Sequence, residues 1–325
     1  MQKKIFVVTI LALTIGFACA KDNSVSCTFA PVVSVGNDTT VFNGTSLNLN
    51  AITKADSGRW TILSGTDGII ENPILPNSQF SGTLNSSYQL KWTSYNACGN
   101  NSDTMEVKFK SEISAGEMVN NLHWLGQADF RIETAGSVIY IDHTKNVVDK
   151  PADVVLITHS HGDHFSASAI AKVATQNTVV IGPADCKYNG ICKEFITLLP
   201  GEEYTVNEFI NIKAVNAYNV VKSNHPKTKN WVGYLISSEG VTTYHAGDTE
   251  RIPEMKNFTC DIALMPLGQT YTMNSVDEAV EATKDVQAKI AIPMHYGLYE
   301  GKAEDATSYK AKLDGITEVI LKTIE

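Results

Sequence analysis

The sequence predicts an α/β domain preceded by a separate all-β module, and three observations carry that expectation. Between residues 27 and 111, apolar residues come in short alternating runs parted by Asn-Gly, Ser-Gly and Gly-Asn turns. From about residue 117, nearly continuous apolar runs alternate with helix-like stretches. The chain has 325 residues, 43% hydrophobic and 19% charged, enough for one large core or two modest ones. Those proportions exclude a collagen, a disordered tail and a polytopic membrane protein. With 26 Lys and Arg against 35 Asp and Glu, the formal charge of -9 argues against a broad nucleic-acid-binding surface.

Lys3 and Lys4 precede the apolar run Ile5 to Ala18, broken only by Thr9 and Thr14. That is the length of a signal-peptide core and short for a spanning helix, so residues 1–20 read as an export signal. Two processing readings stand: Ala18-Cys19-Ala20 fits a small-x-small cleavage site, and Gly16-Phe17-Ala18-Cys19 resembles a loose bacterial lipobox with Cys19 lipidated. Either places the mature chain outside the cytoplasm, periplasmic or lipid-anchored to the outer membrane or cell surface. The second adds an association with membrane lipid.

Residues 26–111 hold the runs Thr40-Val41-Phe42, Ser46 to Leu49, Arg59 to Leu63, Tyr88 to Trp92 and Thr104 to Phe109. About seven short strands over this length make a small two-sheet sandwich, with Trp60 and Trp92 in its core. The region resembles the immunoglobulin-like or PKD-like modules of exported bacterial proteins in Asp38-Thr39-Thr40, Gly58-Arg59-Trp60 and Ser102-Asp103-Thr104. Cys27 and Cys98 are one candidate disulfide, stabilising by about 2–4 kcal/mol. Cys186 and Cys192, flanking a Gly-containing loop, are a second, and Cys260 is left as a buried thiol.

The runs Ser137 to Asp142 and Ala152 to Thr158 read as buried strands, because continuous apolar runs need cover on both faces. The second leads into His159-Ser160-His161-Gly162-Asp163-His164, and a helix capped by Ser166 follows to Val173. Clustered imidazoles repel when protonated and cost desolvation when buried, and a divalent cation offsets both. The cluster therefore predicts a metal site.

His-x-His-x-Asp-His resembles the signature of the metallo-beta-lactamase fold superfamily. The resemblance implies an αββα sandwich over residues 117–325 with two divalent cations, zinc or manganese, at its edge. His159 and His161 match one metal site, Asp163 and His164 the other. His245-Ala246-Gly247-Asp248-Thr249 matches the segment whose aspartate bridges both, and His295 in Met294-His295-Tyr296-Gly297 matches the final ligand. The set looks most like the branch of L-ascorbate 6-phosphate lactonase-like hydrolases, with likenesses also in Leu125 to Phe130 and Gly268 to Met273. Gln127 and His143 depart from that branch, which often has histidine and proline there. The iron-dependent oxidoreductase branch fits less well, because it often carries Glu where this chain has His161.

The family's further histidine is missing from its usual place, which reads Val215-Asn216-Ala217-Tyr218-Asn219. Three readings stand: His225 bends back as ligand or substrate contact, His225 only packs a loop, or Asn219 helps the metal directly. Lys222, Lys227 and Lys229 make this loop locally positive, either for an anionic substrate group or simply as a solvated loop. His245 reads equally as a partner of a ligand and as a packing residue, and Tyr271 and Tyr296 are weaker candidates for substrate contact. The resemblance implies a hydrolase acting on a small-molecule substrate, a lactone or phosphoester, through a metal-activated water, with Asp163 and Asp248 as catalytic residues. Alternatives are a phospholipase-like enzyme and a non-catalytic surface protein retaining the metal site. Nucleic acid is not an expected partner.

Overall fold

A computed structural model describes residues 29–207 and 209–325. The export signal, Cys19 and Cys27 lie outside the described residues. The chain divides into two compact units between Lys110 and Ser111.

In the first unit, Thr39–Phe42, Gly99–Lys110, Ser86–Asn96 and Ser57–Ser64 form a four-stranded sheet in that order. Ser46–Asn48, Gln79–Ser81 and Ile69–Ile70 form a three-stranded one, and Val33–Ser34 pairs with Ile52–Thr53. The described strands are more numerous and less even than the sequence suggests, because polar stretches at the edges break into two-residue pieces. Conversely, the hairpin of Ser86–Asn96 and Gly99–Lys110 runs on past its buried part through Asn100 to Asp103. Alternation holds where it was read: Tyr88, Leu90 and Trp92 face the core beside Met105, Val107 and Phe109. Trp60 stands opposite Trp92 in register, the rings edge-on at 5.4 Å. Gly58 leaves room for this pair, since a Cβ there would sit 2.1 Å from the Trp92 ring.

The second unit has two sheets. One runs Leu122–Gly126, Asp129–Thr134, Ser137–Ile141, Val154–Leu156, Val179–Gly182, Glu194–Thr197, parallel from the third strand onward. The other runs Glu203–Asn207, Ile210–Asn216, Val232–Ser238, Val241–His245, Ile262–Pro266, Ile290–Met294, Glu318–Val319, parallel from the fourth. Side-chain alternation separates two apolar layers. Ile139, Ile141, Val154, Leu156 and Ile181 join Ile212, Val232 and Tyr234 of the other sheet. Tyr140, Val155 and Val180 point the opposite way, onto Ile170 and Val173 of the helix Ala167–Val173. Val276–Asp285 and Ala303–Leu313 lay Ala279, Ala282, Tyr309 and Leu313 against the second sheet. Helix, sheet, sheet, helix is the layering expected. No helix among the described residues is long and apolar enough to cross a membrane.

The cysteine expectations divide. Cys260 is a buried free thiol, pushed up to about 12 by burial. Cys186 and Cys192 are both free, contrary to the proposed pair. The Cys186 side chain is buried among Val155, Ile157 and Tyr188, with Sγ 3.7 Å from Asp185 Oδ1, instead of reaching across the loop. Cys98 is disulfide-bonded.

Trp92→Ala should destabilise the first unit by about 3–5 kcal/mol. Denaturant titration would read the loss, and metal content of the purified variant should match the parent.

Candidate metal centre

Three buried strands end at one place. Val154–Leu156 leads to the loop bearing His159, His161, Asp163 and His164; Val241–His245 leads to Asp248; and Ile290–Met294 is followed by His295. Ligands gather at the carboxyl ends of parallel strands because the loops there leave the sheet together. His225 arrives from the loop between Ile210–Asn216 and Val232–Ser238, with a left-handed φ of 55°.

The seven side chains converge as two sets. His159 Nε2 and His225 Nε2 lie 3.0 and 3.1 Å from His161 Nδ1. Asp163, His164 and His295 form the second set. Asp248 stands between them with one carboxylate oxygen for each. Its Oδ2 is 3.3 Å from His225 Nε2 and 3.8 Å from His159 Nε2, while its Oδ1 is 3.3 Å from His164 Nε2 and 3.1 Å from His295 Nε2. His164 Nε2, His295 Nε2 and Asp248 Oδ1 are buried and make no hydrogen bond, despite their closeness. Buried polar atoms are rarely left so, and a shared cation would satisfy all three. The donor set fits one or two divalent cations.

The outer contacts explain why these nitrogens face inward. Thr158 donates its backbone N–H and its hydroxyl to Asp142, at 2.7 and 2.6 Å, so its hydroxyl oxygen accepts from His159 Nδ1 at 3.0 Å. Asp142 takes the Nδ1–H of His164 at 2.7 Å, Glu300 lies 2.7 Å from Nδ1 of His295, and the Tyr271 carbonyl takes that of His225 at 3.2 Å. Three imidazoles thus commit Nδ1 outward by hydrogen bond and His295 sets its Nδ1 against the Glu300 carboxylate, so that all four present Nε2; His161 presents Nδ1. Fixing the far nitrogen sets both tautomer and ring orientation.

Charge follows the same plan. Burial, with the neighbouring His164, holds His159 well below the ordinary histidine range, and burial also lowers His225, so both keep a free lone pair. Burial opposes protonation of His164 and His295 too, but Asp248, with Asp142 and Glu300, outweighs it; His164 is held well above its usual value and His295 is pushed up to about 9. Burial disfavours the Asp248 carboxylate, and His164 and His295 overcome that, holding it well below the usual carboxylate range.

His225, not Asn219, joins the convergent nitrogens. Asn219 stands behind it: its side-chain amide donates to the Tyr271 carbonyl at 2.7 Å, and its backbone N–H to the His225 carbonyl at 2.9 Å. Trp231 packs on His159 and His161 at 4.9 Å and on His225 at 5.5 Å between ring centroids, its indole N–H held by Asp185. Among the described residues no hydrogen bond joins His245 to a ligand side chain. It donates from Nε2 to the Ala128 carbonyl at 2.9 Å and accepts the Gly247 N–H at Nδ1, fixing the turn that presents Asp248. Gly247 has a φ of 64°, and a Cβ there would meet the Val232 carbonyl at 2.9 Å. Gln127 donates to Asp163 Oδ2 at 3.2 Å. His143 is buried against Asp129 at 3.1 Å, apart from the cluster.

A cavity of about 460 Å³ opens on the cluster, with Tyr271 and Tyr299 on its wall. Tyr296 instead packs on Trp124, ring centroids 5.4 Å apart. The lysines do not give the loop free positive charge: Lys222 lies 3.6 Å from Glu250, Lys227 2.7 Å from Glu254 and Lys229 3.7 Å from Asp185. Asp142, Glu300 and Trp231 were not singled out from the sequence. Asp142 carried one signal, a carboxylate closing an apolar strand, whereas Glu300 and Trp231 carried none.

The profile of the beta-lactamase superfamily domain matches residues 121–295. The chain is 30% identical over 222 residues to a UPF0173 metal-dependent hydrolase of Geobacillus sp. (strain WCH70), an alignment covering 60% of this chain and 94% of that protein. A similar protein from Bacillus thuringiensis subsp. konkukian is also 30% identical, over 62% and 96% of the two chains. Among solved structures, a candidate metal-dependent hydrolase from Parabacteroides distasonis superposes with a TM-score of 0.56 at 30% identity, over 63% of this chain and 93% of that one. Igni18, a metallo hydrolase from Ignicoccus hospitalis, gives 0.51 at 25%, over 62% and 94%.

Asp142→Asn should weaken metal binding about 10–100-fold, read by competition with a chelator. Trp231→Ala should lower metal content on the His159, His161 and His225 side first, so that elemental analysis falls by at most one ion per chain.

Proposed function

The chain belongs to the beta-lactamase superfamily and is a metal-dependent hydrolase, and from that premise we propose that it is an exported enzyme that uses water to cleave a lactone or phosphoester. The observation that carries the reading is Asp248, whose two oxygens face two separate imidazole sets. His159, His161 and His225 would hold one cation, zinc or manganese; Asp163, His164 and His295 the other; and Asp248 both. When bound, they supply Lewis acidity and a water acidic enough to ionise near neutrality. Asp163, half-buried and steadied by Gln127, is placed to hold a water proton in position. Buried His164 and His295 keep that end of the cavity closed to bulk solvent, where electrostatic contacts are strongest. Export is read from residues 1–20, with either cleavage at Ala18-Cys19-Ala20 or lipid attachment at Cys19, and the front sandwich is read as an immunoglobulin-like or PKD-like accessory module.

The test is turnover of lactones, phosphodiesters and amides by protein reloaded separately with zinc and manganese, metal content being measured on the same samples. Lactone or phosphodiester turnover supports the reading; full metal content with no turnover, or turnover of nucleic acid alone, overturns it. Asp248→Asn should cut turnover on the order of 10³-fold, several kcal/mol of Lewis-acid stabilisation being lost with the shared ligand. A chelator should abolish activity, and added metal should restore it.

A further inference from the structure

We propose that the mouth of the metal centre holds an aliphatic acyl chain, so that the substrate is an amphiphilic acyl ester or lactone; this rests on the hydrolase reading above and narrows it. Charge gives the first argument. Among the described residues no lysine or arginine lines the cavity, and the nearby Lys222, Lys227 and Lys229 are each engaged by a carboxylate. The protein side of the pocket thus offers no lysine or arginine to clamp a phosphate dianion, whereas a neutral carbonyl needs none.

The second argument is the rim. Val220 and Val221 are 62% and 77% exposed, Leu298 and Tyr299 66% and 61%, and Tyr271 41%. Tyr271 and Tyr299 line the cavity itself. The loops that carry these side chains are held by buried carboxylates, so the exposure is built in. Glu250 accepts the backbone N–H groups of Val220, Val221 and Lys222 at 2.7, 2.6 and 3.0 Å. Glu300 accepts those of Thr270 and Tyr271 at 2.8 and 2.6 Å, and its own carbonyl takes the N–H of Gly297. The ammonium of Lys222 bonds to the Thr272 carbonyl, joining the valine loop to the tyrosine loop. Exposed apolar side chains on braced loops that adjoin the pocket through Tyr271, Tyr299 and His225 are where an apolar group would be received.

In this arrangement the scissile carbonyl sits at the cluster and the chain runs out past Tyr271 and Tyr299 toward Val220, Val221 and Leu298. Hydrolysis adds the water oxygen to the acyl carbon, breaks the acyl C–O bond and passes a proton to the departing alkoxide, giving a carboxylic acid and an alcohol.

The experiment is equilibrium binding of the carboxylates acetate, butyrate, hexanoate, octanoate and decanoate to zinc-loaded protein, below their micelle concentrations. Kd should tighten roughly twofold per added methylene beyond butyrate, as expected for partial burial of each. In the double variant Val221→Asp, Leu298→Asp the dependence should flatten, with metal content equal to the parent's showing that it has folded. A Kd independent of chain length in the parent overturns the proposal, as does a steep dependence that survives in the double variant. Binding is read without turnover, so a protein that hydrolyses nothing still tests the rim, and an active hydrolase with a flat series sinks the rim alone.

Discussion

The second unit is organised around one buried carboxylate. Asp248 is almost solvent-free and ionised, a state that costs several kcal/mol unless positive charge lies against it. Imidazoles from three other loops meet it on both oxygens, and these reach it only because buried strands of two different sheets end together. The apolar layer between the sheets is what permits this. Ile139, Leu156, Tyr234 and Leu264 lock the strand ends in register, and a slip of one residue would turn the polar ends into the core.

A second tier of acids, Asp142 and Glu300 buried and Asp185 exposed, does the orienting. Asp142, Glu300 and the Asp185 beneath Trp231 contact ligand rings, or the indole that packs on them, from outside. Removing one would leave a ring free to rotate and its outer nitrogen unpaired in an apolar setting, so geometry and solvation fail together. Asn219 belongs to the same tier. Where relatives in the resemblance place a histidine, this chain places an amide that braces one delivered six residues later.

What could be read in the sequence tracks what is local. Continuous apolar runs announced the strands ending at His159, Asp248 and His295, and the spacing within residues 159–164 announced the cation chemistry. His225 was legible only as one of several readings, because its approach depends on a left-handed turn and on Asn219, Tyr271 and Trp231 from three separate segments. The charge setting of the loop was illegible for a similar reason: three lysines in eight residues have Asp185, Glu250 and Glu254 folded against them from elsewhere in the chain. The cysteines 186 and 192 looked paired by proximity in the chain, yet one had been claimed by the apolar layer under the helix Ala167–Val173. In the front unit, alternation located the core, while pairing along exposed polar edges left no periodic trace.

Glu300 stands on two duties at once, gripping the ring of His295 with one oxygen and the backbone of Thr270 and Tyr271 with the other. One end of it belongs to the cation side and the other to the wall of the cavity. Whatever tightens the wall must also stiffen the ring, and by thermodynamic reciprocity a filled cation position must firm up the wall by the same free energy. The wall of the cavity and the cation side are therefore joined through Glu300, as they are through the Tyr271 carbonyl that holds His225.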